Sequence, residues 1–244
     1  MSTDLPIQIL NQIANKPVET NMMQMFQQDP ALKILLAVLN LIPGGNLISA
    51  GAEATMAIYN QMAMKRQAAL FQELQREPYR LTEVIVQSEE FIHKFLITYR
   101  AAMMTSRKEK IEYFARLLKA STVLENEVST DEFEEYLNIL SDLSFRELQI
   151  LSITDKYFTE YPEPSERLDD NTSNPAWNEW AKEFFPKFRA EIQKSVGIRD
   201  EEMDDILIRI SRSGLYKQID YIDGDNGNGT LTPLFYRIKE LIMI

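Results

Sequence analysis

Residues 34–59 read ILLAVLNLIPGGNLISAGAEATMAIY, and the stretch carries one formal charge, at Glu53. The fold turns on whether this is one apolar segment or two. Pro43-Gly44-Gly45 divides it, because proline disfavours helical geometry in the residue before it and the glycines permit left-handed turns. A helix from Pro30 to Ile42, apolar nearly all round apart from Lys33 and Asn40, therefore ends at the turn. A second helix resumes near Leu47 and runs through Tyr59 into the polar residues 61–77. Each arm is shorter than the roughly 20 apolar residues that a spanning helix needs. The reading is a helical hairpin over 31–76, buried at the centre of a helical domain or deployed against a membrane or partner. Small residues (Ser49, Ala50, Gly51, Ala52, Ala54, Ala57) allow close helix approach in either solvent. The candidate contact residues are Leu36, Leu39, Ile42, Pro43, Gly44, Gly45, Leu47 and Ile48.

Outward from this stretch, the chain reads as charged amphipathic helices. Asp29-Pro30 provides a cap for the first arm. Glu77-Pro78 ends the second arm, and one helix is expected over 78–104, with Leu81, Val84, Ile85, Phe91, Ile92, Phe95, Leu96 and Tyr99 as its apolar positions. Ser-x-x-Glu recurs at Ser106–Glu109, Ser129–Glu132 and Ser144–Glu147, which predicts three reciprocally capped helix starts. The helices that follow carry Ile111, Phe114, Leu117 and Leu118, then Phe133, Tyr136, Leu137 and Leu140, then Leu148, Leu151 and Tyr157 at helical spacing.

Tyr161-Pro-Glu-Pro164 to Asn174-Pro175 is polar and proline-bearing, and it is read as a connector over 161–174. It separates a helical domain, 1–160, from a C-terminal part, 175–244. There Trp177, Trp180, Phe184 and Phe188 follow i, i+3, i+7, i+11 on one helix face, a pattern for core packing or for a protein partner. Pro186 is expected to kink or end that helix. A short helix over 200–213, a strand-like 215–222, the Asp/Asn/Gly turn 223–229, a second short strand and a last helix over 234–243 are the parts of a winged-helix-like α+β module. The fold class is mostly α.

The chain of 244 residues holds 26 basic and 37 acidic side chains, a net charge of −11. That balance repels phosphate backbones and acidic membrane surfaces at long range. The helix before the wing begins Asp200-Glu-Glu-Met-Asp-Asp205, the wrong charge for reading DNA, so nucleic acid is not an expected partner. There is no cysteine and only one histidine, His93, which removes thiolate chemistry and His-rich zinc sites. If Asp223 opened a calcium loop, its sixth residue would be Asn228 and its twelfth Leu234, where glycine and glutamate are required, so that reading fails. No catalytic residue, metal site or cofactor is expected. MSTDLPIQIL lacks a basic region followed by a long apolar run, so no secretory signal is expected. The expected location is the cytoplasm or a membrane periphery.

The order Phe114-Ala-Arg-Leu-Leu118, Leu143-Ser-Phe-Arg-Glu-Leu-Gln-Ile-Leu151, Arg212-Ser-Gly-Leu-Tyr216 and Leu231-Thr-Pro-Leu234 resembles bacterial proteins of the abortive-infection alpha type and related helical families. Phe235 stands where glycine often follows in that pattern. The resemblance covers about 106–244 and implies a bacterial, phage-defence setting. It transfers no catalytic residue. Two readings follow: a non-enzymatic interaction protein acting through its apolar hairpin on a membrane or protein partner, and a soluble scaffold or regulatory module binding a partner through the aromatic helix 177–188. Self-association is compatible with either.

Overall fold

The computed structural model describes residues 29–41, 54–76, 81–123, 128–164, 175–218 and 229–242. These form α1 (Pro30–Leu41), α2 (Ala54–Leu74), α3 (Glu83–Val86), α4 (Glu89–Met104), α5 (Lys108–Val123), α6 (Thr130–Asp142), α7 (Phe145–Glu160), α8 (Pro175–Val196), α9 (Asp200–Arg212), β1 (Tyr216–Gln218), β2 (Gly229–Leu231) and α10 (Pro233–Ile242). The protein is mostly helical. Its described residues fall into two compact units, one running to Ser141 and taking in the chain from Leu241, the other Asp142–Glu240. The division falls ahead of the expected 161–174 connector, because α7 packs with α8. The turns expected at Pro43-Gly44-Gly45 and at 223–229 fall on residues 42–53 and 219–228, which lie outside the described residues.

Helix starts follow local chemistry. Asp29 Oδ1 accepts the Ala31 and Leu32 N–H groups at 3.0 and 3.3 Å, the expected cap of α1. Ser144–Glu147 and Ser129–Glu132 form the expected reciprocal caps of α7 and α6. Ser106 does not start α5 as expected: the Thr105 hydroxyl takes the Arg107 N–H at 3.3 Å, and the helix begins at Lys108. The single helix expected over 78–104 is also corrected. Ser88 accepts the Phe91 N–H at 3.2 Å and caps α4, while Thr82 caps the separate turn α3. A serine that bonds the backbone two or three residues ahead competes with helix continuation.

In the first unit α2, α4 and α5 pack against one another. Phe95 is central, with its ring 6.3 Å from that of Phe71 and 6.2 Å from that of Phe91, all three buried. Burying helix ends among neighbours creates a problem, because the last four carbonyls of a helix have no partner within it. Basic side chains from adjacent helices supply donors. Lys119 of α5, buried, donates to Glu73 O at 3.2 Å and to Arg76 O at the end of α2. Arg66 of α2 donates to Met103 O in the last turn of α4 at 2.5 Å. Lys110 of α5 donates to Ser141 O in the last turn of α6 at 2.8 Å. Positive charge at these ends also complements the helix dipole. Arg116, one turn before Lys119, binds the buried Glu73 carboxylate through Nε at 2.8 Å. Near the start of α6, fully buried Lys94 donates to Val128 O at 3.2 Å and pairs with Glu90 at 2.7 Å. The hydrogen bond from Lys94 holds the Glu90 carboxyl below its usual range.

In the second unit α9 buries Met203, Ile206, Leu207 and Ile210, the i, i+3, i+4, i+7 stripe of an amphipathic helix. Gly214, at φ 78°, takes the left-handed conformation that turns the chain into β1. β1 and β2 pair antiparallel, with Tyr216 opposite Leu231, Lys217 opposite Thr230 and Gln218 opposite Gly229. A Cβ at Gly229 would lie 2.7 Å from the Tyr216 ring and against the Lys217 carbonyl, so only glycine permits this pairing. Ion pairs tie the helices together: Arg209 to Glu147 at 3.3 Å, Lys239 to Asp155 at 2.7 Å and Arg189 to Asp204 at 2.8 Å.

The cross-capping makes a direct prediction. Lys119→Met keeps the apolar stem but removes the donor from two buried carbonyls, and should cost about 2 kcal/mol in denaturant unfolding. A loss no larger than that of an exposed control such as Lys182→Met would contradict the capping role.

Candidate functional site

Of the expected apolar hairpin the structure describes the first arm, α1, and the chain from Ala54 onward. In α1, Ala31, Leu32, Leu35 and Leu39 are buried, and the helix packs on α3. The other side is not polar: Ile34, Leu36 and Val38 are half-buried and Ala37 is exposed, with Lys33 the exposed charge. Of the candidate contact residues, Leu39 is therefore inside and Leu36 lies at the boundary. Ile42, Pro43, Gly44, Gly45, Leu47 and Ile48 lie outside the described residues. No helix among the described residues is long and apolar enough to cross a membrane.

The aromatic stripe is located on α8. Trp180 stacks on Phe184 with centroids 4.4 Å apart, and Phe184 lies 5.7 Å from Phe188. The face they form meets α7, whose Phe158 and Tyr157 rings lie 4.9 Å from Phe184 and 5.9 Å from Phe188 respectively. Phe184 and Phe188 are buried and Trp180 is half-buried, while the Trp177 side chain lies outside the described residues. Burial first, then the charge of Glu191, raises the Tyr157 phenol above its ordinary value. Of the two outcomes expected at Pro186, a kink or an end, the helix does not end there; it runs through the proline to Val196. The proline is exposed, while Phe184, Phe185, Phe188 and Ile192 anchor the helix on both sides of it.

The acidic start of α9 is partly engaged within the unit. Arg189 reaches both Asp204 and Asp200, and the Arg199 guanidinium lowers the Glu202 carboxyl by a hydrogen bond at 2.8 Å. No group of three or more His, Cys, Asp or Glu side chains among the described residues is arranged to hold a metal ion.

A cleft of about 510 Å³ opens between α4, α5 and α6, lined by Ile97, Arg100, Ala101, Lys110, Phe114, Glu134, Leu137 and Asn138 among others. The lone histidine stands beside it: His93 Nε2 and Glu134 Oε1 are 2.7 Å apart, both half-exposed. The three helical stripes that build the cleft are visible in the sequence only one at a time. Comparison with family models, curated proteins and solved structures returned no match to this chain.

The aromatic contact predicts the consequence of truncation. Phe188→Ala should destabilise the second unit by about 3–5 kcal/mol, the usual cost of deleting a buried aromatic. Near-native stability would show that α7 and α8 do not depend on this packing.

Proposed function

We propose that this chain is a non-enzymatic interaction protein of a bacterial cell, a phage-defence effector that works through its apolar hairpin, residues 34–59, at a membrane periphery or on a protein partner. The observation that supports it is the two-sided apolar character of α1. A helix docked permanently at the surface of a soluble unit ordinarily turns a polar face outward. Here the positions that are not buried include a single charge, the exposed Lys33, among the apolar Ile34, Leu36, Ala37 and Val38. The helix has 12 residues, about 18 Å at the α-helical rise, so its reach suits insertion into the interfacial layer rather than crossing. The resemblance to abortive-infection proteins favours a defence role. The winged-helix-like reading of α9, β1, β2 and α10 gives the second unit a protein-binding role, since its acidic helix start disfavours DNA. The aromatic helix is the weaker alternative, because Phe184 and Phe188 are already buried against α7.

Vesicle flotation with dye leakage tests the membrane arm. With a net charge of −11, binding should be driven by apolar insertion and persist on zwitterionic vesicles. Leu36→Asp should abolish flotation while the fold is retained. Flotation absent for the wild type, or unchanged in Leu36→Asp, contradicts action on a membrane through this helix.

A further inference from the structure

We infer that the cleft between α4, α5 and α6 is a binding site for a small organic anion with an apolar body. Three observations converge. The first is size: about 510 Å³ lies within the roughly 300–1,000 Å³ typical of small-molecule sites. The second is the floor. Ile97 and Ala101 from α4, Phe114 from α5 and Leu137 from α6 line it, and Phe114 and Leu137 are otherwise buried. Water gains little against such a surface, and a hydrocarbon or aryl group covering it is favoured by the area it removes from solvent.

The third is charge. The ionised side chains lining the cleft are Arg100, Lys110 and Glu134, two cations against one anion, in a chain whose net charge is −11. Glu134 is engaged by His93, and Lys110 is buried with its ammonium on the Ser141 carbonyl. Arg100 is exposed and makes no ion pair or hydrogen bond among the described residues. A guanidinium at the mouth of an apolar cleft suits a carboxylate, which it can bind through two parallel N–H donors. Met104, one turn further along α4 and exposed, supplies a flexible thioether at the same rim.

The cleft is also held open. α6 is tied to its neighbours by Lys94 to Val128 O ahead of its first turn, by His93 to Glu134 and by Lys110 to Ser141 O at its far end. These polar ties hold the helix at both ends of the cleft.

Calorimetric titration of the full chain with octanoate tests the site, with octylammonium as the matched cation. Octanoate should bind at millimolar concentration or better, and octylammonium should not. Arg100→Gln should weaken octanoate about tenfold, the loss of one charge-assisted contact. Asn138→Trp, an exposed position on the cleft wall, should block binding with an unchanged circular dichroism spectrum. Absence of octanoate binding, equal binding of the two ions, or full binding by folded Asn138→Trp each overturns the assignment.

Discussion

Arg116 and Lys119, three residues apart on α5, grip the end of α2: one binds the Glu73 carboxylate, the other the Glu73 and Arg76 carbonyls. A helix end buried without donors would leave carbonyls unsatisfied, at a cost of about 1–3 kcal/mol each. The packing of α2, α4 and α5 brings such ends into contact with neighbouring helices, so the arrangement is tenable only where a cation is waiting. Arg66 of α2 at the end of α4 and Lys110 of α5 at the end of α6 repeat the solution. The same donors fix which helix lies beside which, because a carbonyl cluster accepts a lysine only from one register. Phe71, Phe91 and Phe95 add area between the helices, but apolar contact alone tolerates sliding.

This rigid centre sets what the rest of the first unit can do. α6 is held by polar ties at its ends, and the cleft lies along the helix between them. α1 is held differently. Its links among the described residues include the Asp29 cap, the Gln75 to Asp29 contact at 3.5 Å and packing on the short α3. No basic side chain clamps its end among the described residues. α1 thus combines a buried leucine face with outer positions that carry one charge, Lys33, and its hold on the unit rests on apolar packing more than on clamped carbonyls.

Much of the architecture was legible residue by residue. The stripes of α5 and α6 matched their buried faces, that of α7 did so only at Leu151, with Leu148 and Tyr157 half-buried, and the Ser129 and Ser144 caps stood where the spacing put them. The failures share one cause, which is competition settled by tertiary context. Ser88 took a local hydrogen bond and split the helix expected over 78–104. Pro186 sat within α8 because the aromatic residues on either side of it outweighed one missing backbone bond. Lys94, Lys110 and Lys119 look like surface lysines in sequence, since nothing local reveals a carbonyl 31 to 46 residues away. The cleft was hidden for the same reason: its walls come from three helices, each of which reads as an ordinary amphipathic helix.

The central claim is that a capped core of α2, α4 and α5 carries a more weakly held α1. Native-state hydrogen exchange resolved by residue tests it most directly. The account predicts that buried amides of α2 and α5 exchange only through global unfolding, while those around Leu35 and Leu39 exchange through a separate opening of lower free energy. Protection of α1 equal to that of α2 and α5, with the same denaturant dependence, would contradict it.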